Sequence, residues 1–479
     1  MTTVKELPNL KRGLSLFDAT VIVVANAIGT GIFTTTGFIA QEVASPGLLI
    51  LVWLIGGALA LAGALSYAEL GASMPLAGGE YLYLREAYGP LLAFLTGWTS
   101  FFIGFSGPIA ASAVSAADYL SHFLPALSIK NLLFSADLLG LSLSLSYGHL
   151  LAILFVLGFS FIHYIGLKSG AVAQNFLTVV KVGTIVTIIA LAAIAGNGNA
   201  AHFSPLISSE FSLTGVGVAL VIVMFSYSGW NASAYIAGEI KNPSRNLPFS
   251  LIIGTVIITV LFVALNIMYI YALPVAEMQG QLEIGKLAST ALFGNSVTNY
   301  FIAFLVISIL GCMSAMILAG PRVYYAMAKD GLFFKSAARV SPRFQTPGTS
   351  IWMQAIWSCI LIVSGTFNQL LTYTSFALLL FSAITAISVF VLRAKRPLLA
   401  RPYKTWGYPV APALFVISSL IICISTALER TSESLLGLLV VSAGIPVYLY
   451  WRRNSTASSY QTRSELEIEQ PEKVADYGL

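Results

Sequence analysis

The sequence is short of charge. Only 9% of its 479 residues are Asp, Glu, Lys or Arg, while 57% are hydrophobic. Soluble domains carry about 25% charged residues, so a chain this poor in ions must turn most of its surface to lipid. Cysteine and histidine are scarce too, at three and four residues. Cys312, Cys359 and Cys423 all sit in apolar stretches without CxxC spacing. That excludes a disulfide framework and a cysteine metal site, and leaves small packing residues. It also gives no extracellular thiol for a disulfide-linked partner. His122, His149, His163 and His202 are scattered without ligand spacing and are expected to be structural or solvated. With no metal cluster and no nucleophile–base spacing, neither an enzyme nor a metal or cofactor is expected. The net charge of +5 carries no message about nucleic acid in so apolar a chain; the expected partner is the bilayer.

What the sequence has is long apolar runs. Crossing the hydrocarbon takes about 20 residues of helix. Twelve such stretches stand at 14–41, 46–73, 90–122, 148–167, 171–195, 212–239, 248–273, 295–326, 349–366, 370–392, 408–428 and 434–451. The expected fold is an all-α membrane protein with 12 transmembrane helices. The run over 13–41 is too long for a signal-peptide core and is expected to be the first span, not a cleaved leader. With an even number of spans, the 25 Lys and Arg sort by side. All fall on one side except Lys130, Lys286 and Arg430 on the other and Lys181 within a span. The positive-inside rule then puts both termini in the cytoplasm, as a multi-pass protein of the cytoplasmic membrane.

Two of these spans break at their centres. The first reads Ala25-Asn26-Ala27-Ile28-Gly29-Thr30-Gly31-Ile32-Phe33 and the sixth Phe225-Ser226-Tyr227-Ser228-Gly229-Trp230-Asn231. Broken backbone bares N–H and C=O groups that lipid cannot satisfy, so it survives only inside protein or along a cavity. Paired breaks at matching places in two halves point to a transporter's binding site. They divide the chain into a first repeat with its N-terminal tail (1–195), a second repeat of opposite topology (196–394), two further helices (395–453) and an acidic, disordered cytoplasmic tail (454–479). All form one transmembrane domain.

In the first span, glycines flank Thr30, and glycine tolerates dihedrals other residues avoid. If the helix unwinds over 28–31, the N–H groups of Thr30, Gly31 and Ile32 face the gap, where a carboxylate fits. The plainer alternative is that these small residues let helices pack closely. In the sixth span Ser226, Tyr227, Ser228, Trp230 and Asn231 are costly in lipid and suited to a polar ligand; the alternative is an aromatic packing cluster. Carbonyls near Ala27 and from Phe225 to Ser228 can accept from an ammonium. A site for both an ammonium and a carboxylate describes an α-amino acid.

Lys181 lies about ten residues into the fifth span, near mid-membrane at ~1.5 Å rise per residue. Intramembrane charges are expensive and functional by default, with snorkelling as the alternative. Its ammonium would occupy the space of a coupling Na⁺. No Asp or Glu stands at the centre of a span, which favours neutral substrates, although carbonyls or aromatic faces can replace a carboxylate. Glu239-Ile240-Lys241-Asn242-Pro243-Ser244-Arg245-Asn246-Leu247-Pro248 reads as a helix stop, with gating by Glu239 and Lys241 or Arg245 as the functional alternative. Arg322, Lys329 and Asp330 are expected on a solvated face.

At these residues the chain closely resembles the amino acid–polyamine–organocation superfamily of permeases, over about 13–450. The markers are Gly29-Thr30-Gly31-Ile32-Phe33, the run from Phe176 to Lys181, Tyr227-Ser228-Gly229-Trp230-Asn231, Asn242-Pro243-Ser244-Arg245-Asn246-Leu247-Pro248, and Arg401-Pro402-Tyr403-Lys404. The sixth span looks like the L-type amino-acid transporter branch. Pro321-Arg322-Val323-Tyr324-Tyr325-Ala326-Met327-Ala328 looks like the cationic branch. The resemblance implies ten inverted-repeat helices plus two, and alternating access. By position, Thr30 and Gly31 would hold the substrate carboxylate, and carbonyls of Ala27, Phe225 and Ser228 its ammonium. Lys181 matches the lysine that replaces sodium in sodium-independent members. The family often has Ala or Gly where this chain has Ser226 and Ser228, which leaves the pocket's size and polarity open.

The expected substrate contacts are therefore Ala27, Ile28, Thr30, Gly31, Phe225, Ser228, Gly229 and Trp230, with Lys181 in the sodium position and Glu239 and Tyr227 as gates. The expected activity is sodium-independent transport of neutral L-α-amino acids by antiport or proton symport. The rivals are a carrier of cationic amino acids or polyamines, and a non-transporting amino-acid sensor on the same fold.

Overall fold

The first span opens with a capping box. The Ser15 hydroxyl accepts from the Asp18 backbone N–H at 3.2 Å, and Asp18 Oδ2 accepts from the Ser15 N–H at 2.7 Å. Two of the N-terminal donors that a helix leaves unsatisfied are thus taken up. The helix runs over Leu16–Ala27, breaks at residues 28–30, and resumes at Gly31–Thr34 and Thr36–Val43. Thr35 keeps helical dihedrals (φ −82°, ψ −23°), so the second half follows one helical course.

The computed structural model describes residues 10–138, 141–207, 212–365, 367–429 and 431–454. Among them ten helices are long and apolar enough to cross a membrane, and the chain is an all-α, multi-pass membrane protein. Leu213–Ser226 and Gly348–Ser364 stand where two further spans were expected but fall short of that length. The former stops because the sixth span breaks after Ser226; the latter ends at Gly365, in the left-handed region at φ +63°. The tail expected over 454–479 lies, from residue 455, outside the described residues.

The second span, Pro46–Ser73, packs along the seventh, Pro243–Ala272; the first also packs on the seventh, and the sixth on the second. Glycine permits this approach. A Cβ on Gly57 would lie 2.4 Å from Thr259 Cγ2 and 2.9 Å from the Tyr227 hydroxyl. In lipid such close backbone packing supplies the attraction that the hydrophobic effect does not. The second half of the first span is tied to the seventh by the Thr36 hydroxyl, which donates to Asn266 Oδ1 at 2.9 Å. Its foot is tied to the fifth span, Leu167–Ala195, by Asn175 Nδ2, which donates to Asp18 Oδ1 at 2.6 Å.

Two local features depart from plain helix. The third span carries a π turn over Ser100–Gly104. There the Phe105 N–H bonds five residues back to Ser100, and the Ser106 hydroxyl donates at 2.7 Å to the Phe101 carbonyl so freed. Between the third and fourth spans, Leu132–Leu138 and Leu141–Ser146 pair as an antiparallel hairpin. The strict alternation Leu141-Ser142-Leu143-Ser144-Leu145-Ser146 has the strand period of two, a signal that the neighbouring apolar runs masked.

Candidate functional site

The two breaks meet. After Ser226 the sixth span turns through Tyr227–Asn231 and resumes only as Ala232–Tyr235 and a 3₁₀ turn at Ala237–Glu239. Gly229 takes φ +101°, and a Cβ there would stand 2.8 Å from Asn26 Nδ2 and 2.9 Å from the Asn26 carbonyl oxygen. Only glycine allows this contact. Asn26 Nδ2 donates to the Gly229 carbonyl at 3.4 Å, and the Thr35 and Ser226 hydroxyls lie 2.9 Å apart. A Cβ on Gly31 would touch Ser226 at 3.4 Å.

Lys181 reaches this junction from the fifth span. It is fully buried, and its Nζ donates to the carbonyls of Ile28 at 2.5 Å and Ala25 at 3.3 Å. Breaking the helix strips these oxygens of their own donors, so the ammonium and the break satisfy one another. Cys312, from the helix Asn295–Lys329, stands beside it, since the neighbouring Gly311 packs on the Lys181 side chain. Its Sγ lies 3.2 Å from the Asn26 carbonyl, and a Cβ on Gly29 would meet it at 3.3 Å. Cys312 was expected to be a packing residue; it borders the break. The Gly311-Cys312-Met313-Ser314 run in mid-span was the available signal.

Other expected residues divide by exposure. The Phe225 side chain is 57% exposed and Ser228 is exposed, whereas Tyr227 and Trp230 are buried. The Tyr227 hydroxyl donates to the Trp53 carbonyl at 2.9 Å, and the Trp230 ring packs edge-on to Tyr67 and Phe415, with centroids 4.8 and 5.5 Å away. These two rings brace the turn from behind. The backbone of the break keeps free valences. Among the described residues, the N–H groups of Thr30, Gly31 and Ile32 take no backbone carbonyl, while the Ala27 and Phe225 oxygens each accept one local bond, from Gly29 and Ser228. The site therefore offers donors and acceptors of main-chain origin side by side, as an ammonium and a carboxylate on one carbon require.

Below the breaks the ion pairing differs from expectation. Glu239 does not pair with Lys241 or Arg245, which are exposed. It accepts from Arg322 twice, Nε to Oε2 at 2.7 Å and Nη2 to Oε1 at 2.9 Å, and both side chains are 0% exposed. Arg322 Nη1 donates to the Leu318 carbonyl at 2.6 Å. Arg322 was expected on a solvated face; an unpaired charge so buried would be expensive, and the bidentate fork supplies its partner. The rule that singled out Lys181 applies equally to Arg322, which lies inside the apolar stretch 295–326. Beside this pair the backbone joins the two broken spans: Gly13 and Leu14 donate to the Glu239 carbonyl at 2.8 and 2.9 Å, and Lys241 donates to the Leu14 carbonyl at 2.8 Å.

The amino acid permease family profile matches residues 14–445. The chain is 30% identical over 445 residues to the serine/threonine exchanger SteT of Bacillus subtilis, covering 92% of this chain and 96% of that protein. It is 29% identical over 453 residues to the human b(0,+)-type amino acid transporter 1, covering 92% and 88%. It is 28% identical over 449 residues to the branched-chain amino acid permease BcaP of B. subtilis, covering 93% and 94%.

Proposed function

Because this chain belongs to the amino acid permease family, and so is an amino-acid transporter, we propose that it carries neutral L-α-amino acids across the cytoplasmic membrane without sodium, by alternating access and exchange. Thr30 and Gly31 bind the substrate carboxylate through their N–H groups, with Ile28, Gly229 and Trp230 shaping the turn. The carbonyls of Ala27, Phe225 and Ser228 take the ammonium. Tyr227 and Glu239 act as gates. Both termini are cytoplasmic, and residues 1–195 and 196–394 are inverted repeats. The reciprocal packing of first span on seventh and sixth on second supports that division.

The observation that carries the sodium-independent reading is the contact of Lys181 Nζ with the Ile28 and Ala25 carbonyls. A fixed ammonium fills the break where a mobile cation would need oxygen ligands. Exchange is favoured over sodium symport because a lysine-filled site has no bound sodium to lend a gradient.

The test is uptake of a labelled amino-acid mixture into proteoliposomes, with and without internal amino acid, with sodium replaced by choline, and with and without a proton gradient. Flux that needs internal substrate and ignores sodium is the expected result. Flux driven by a proton gradient alone replaces exchange with symport. Competition by arginine or putrescine but not leucine replaces the neutral substrate with a cationic one, and binding without flux replaces the carrier with a sensor.

A further inference from the structure

The helix Glu80–Tyr88 begins with a buried carboxylate that, among the described residues, has no cation partner. Glu80 is 4% exposed. Its Oε1 accepts from the Tyr67 hydroxyl at 2.6 Å, the Ser382 hydroxyl at 2.9 Å and Asn231 Nδ2 at 3.0 Å. The Tyr235 hydroxyl bonds the same carboxylate, and Tyr83 also faces it. Every donor is neutral.

The other two deeply buried carboxylates beside the breaks and the second span are treated differently. Glu239 holds Arg322, and Glu69 accepts from Arg393 at 2.7 and 2.8 Å with Arg401 3.5 Å away. Buried charges are ordinarily paired. Glu80 is the exception, and it is also the carboxylate joined to the sixth-span turn, because Asn231 is the last residue of that turn. Through Tyr67 it reaches the second span, and through Ser382 the helix Phe367–Lys395.

We propose that Glu80 is a proton-binding positioning residue of the transport cycle: ionised, it holds the sixth-span turn to the second span and to the helix Phe367–Lys395 through Asn231, and protonated, it releases it. This rests on the transport reading given above.

A carboxylate accepts several bonds at once, and charge-assisted bonds are about twice as strong as neutral ones. A carboxylic acid carries a donor of its own and loses that assistance, so the four-way tie weakens when a proton arrives from water and strengthens when it leaves. Burial raises the Glu80 carboxyl above the ordinary glutamate range, against the downward pull of Tyr67, Ser382, Tyr235 and Asn231. A proton is therefore held at higher pH than a solvated glutamate would hold it. The turn that binds substrate is thus sensitive to acid through a group that does not itself touch substrate.

The experiment is amino-acid exchange in proteoliposomes at matched internal and external pH, from acid to alkaline, for the wild type, Glu80→Gln, Glu80→Asp and Tyr67→Phe. The wild type should show one titrating limb. Glu80→Gln should lose the limb, with kcat lowered about tenfold and KM little changed. Glu80→Asp should keep the limb, displaced. Tyr67→Phe removes a bond to the ionised form and should move the limb to higher pH. A Glu80→Gln protein with the wild-type limb overturns the proposal, as does wild-type flux with no limb. If Glu80→Gln fails to fold, an unmoved limb in Tyr67→Phe overturns it instead. Absence of wild-type flux in every condition defeats the transport reading itself, and the proposal with it.

Discussion

The Nζ of Lys181 lies 2.5 Å from the carbonyl oxygen of Ile28 and 3.3 Å from that of Ala25, so the fifth span supplies the cation that closes the break in the first. Lys181→Ala leaves both oxygens buried without a donor, and a buried acceptor left unsatisfied costs roughly 1–3 kcal/mol. Uptake should fall by about ten- to a hundredfold at normal expression. Full activity in this variant would remove the lysine from the mechanism.

Gly229 is the point where the sixth-span backbone meets Asn26. Gly229→Ala adds a Cβ at 2.8 Å from Asn26 Nδ2, on a residue held at φ +101°. Such strain costs on the order of 1–3 kcal/mol. Detergent-solubilised protein should unfold at lower temperature, and substrate binding measured by scintillation proximity should weaken. Unchanged affinity would mean that the two breaks do not need this approach.

Cys312 and Gly29 form a second contact of the same kind, with 3.3 Å between Sγ and a Cβ built on the glycine. Gly29→Ala should reduce uptake, and Cys312→Ala in the same chain should restore part of it by yielding the space. Additive losses in the double variant would show that the two positions are not coupled.

The Glu239–Arg322 pair is wholly buried. Removing one partner, as in Glu239→Gln or Arg322→Met, strands the other charge and should destabilise by about 3–5 kcal/mol. The double variant Glu239→Leu with Arg322→Met should recover much of that stability in thermal unfolding, yet it should transport differently if the pair gates the site. A double variant as unstable as the singles would contradict this account.

The spans, the two breaks and Lys181 were legible because each rests on local composition: apolar length, glycine beside threonine, a charge where hydrocarbon should be. What stayed hidden involves partners distant in sequence. Arg322 finds Glu239 across 83 positions; its place inside an apolar stretch signals burial, but no local pattern names its partner. Glu80 stood between two spans, where a carboxylate reads as solvated; its burial depends on how Tyr67, Asn231 and Ser382 converge. Trp230 was legible as belonging to the break, but the direction of its ring, toward Tyr67 and Phe415, follows from helix placement alone. The hairpin over Leu132–Ser146 shows in its alternation, but that short period-two signal lies between two much longer hydrophobic runs that dominate the local pattern.

The backbone bonds of Gly13 and Leu14 to the Glu239 carbonyl, and of Lys241 to Leu14, have a mechanical consequence. They involve no side chain, so point substitutions at these positions leave them largely intact, and they rivet the entry of one broken helix to the exit of the other. The two helices share a pivot at that end, and a push on either arrives at the other as torque.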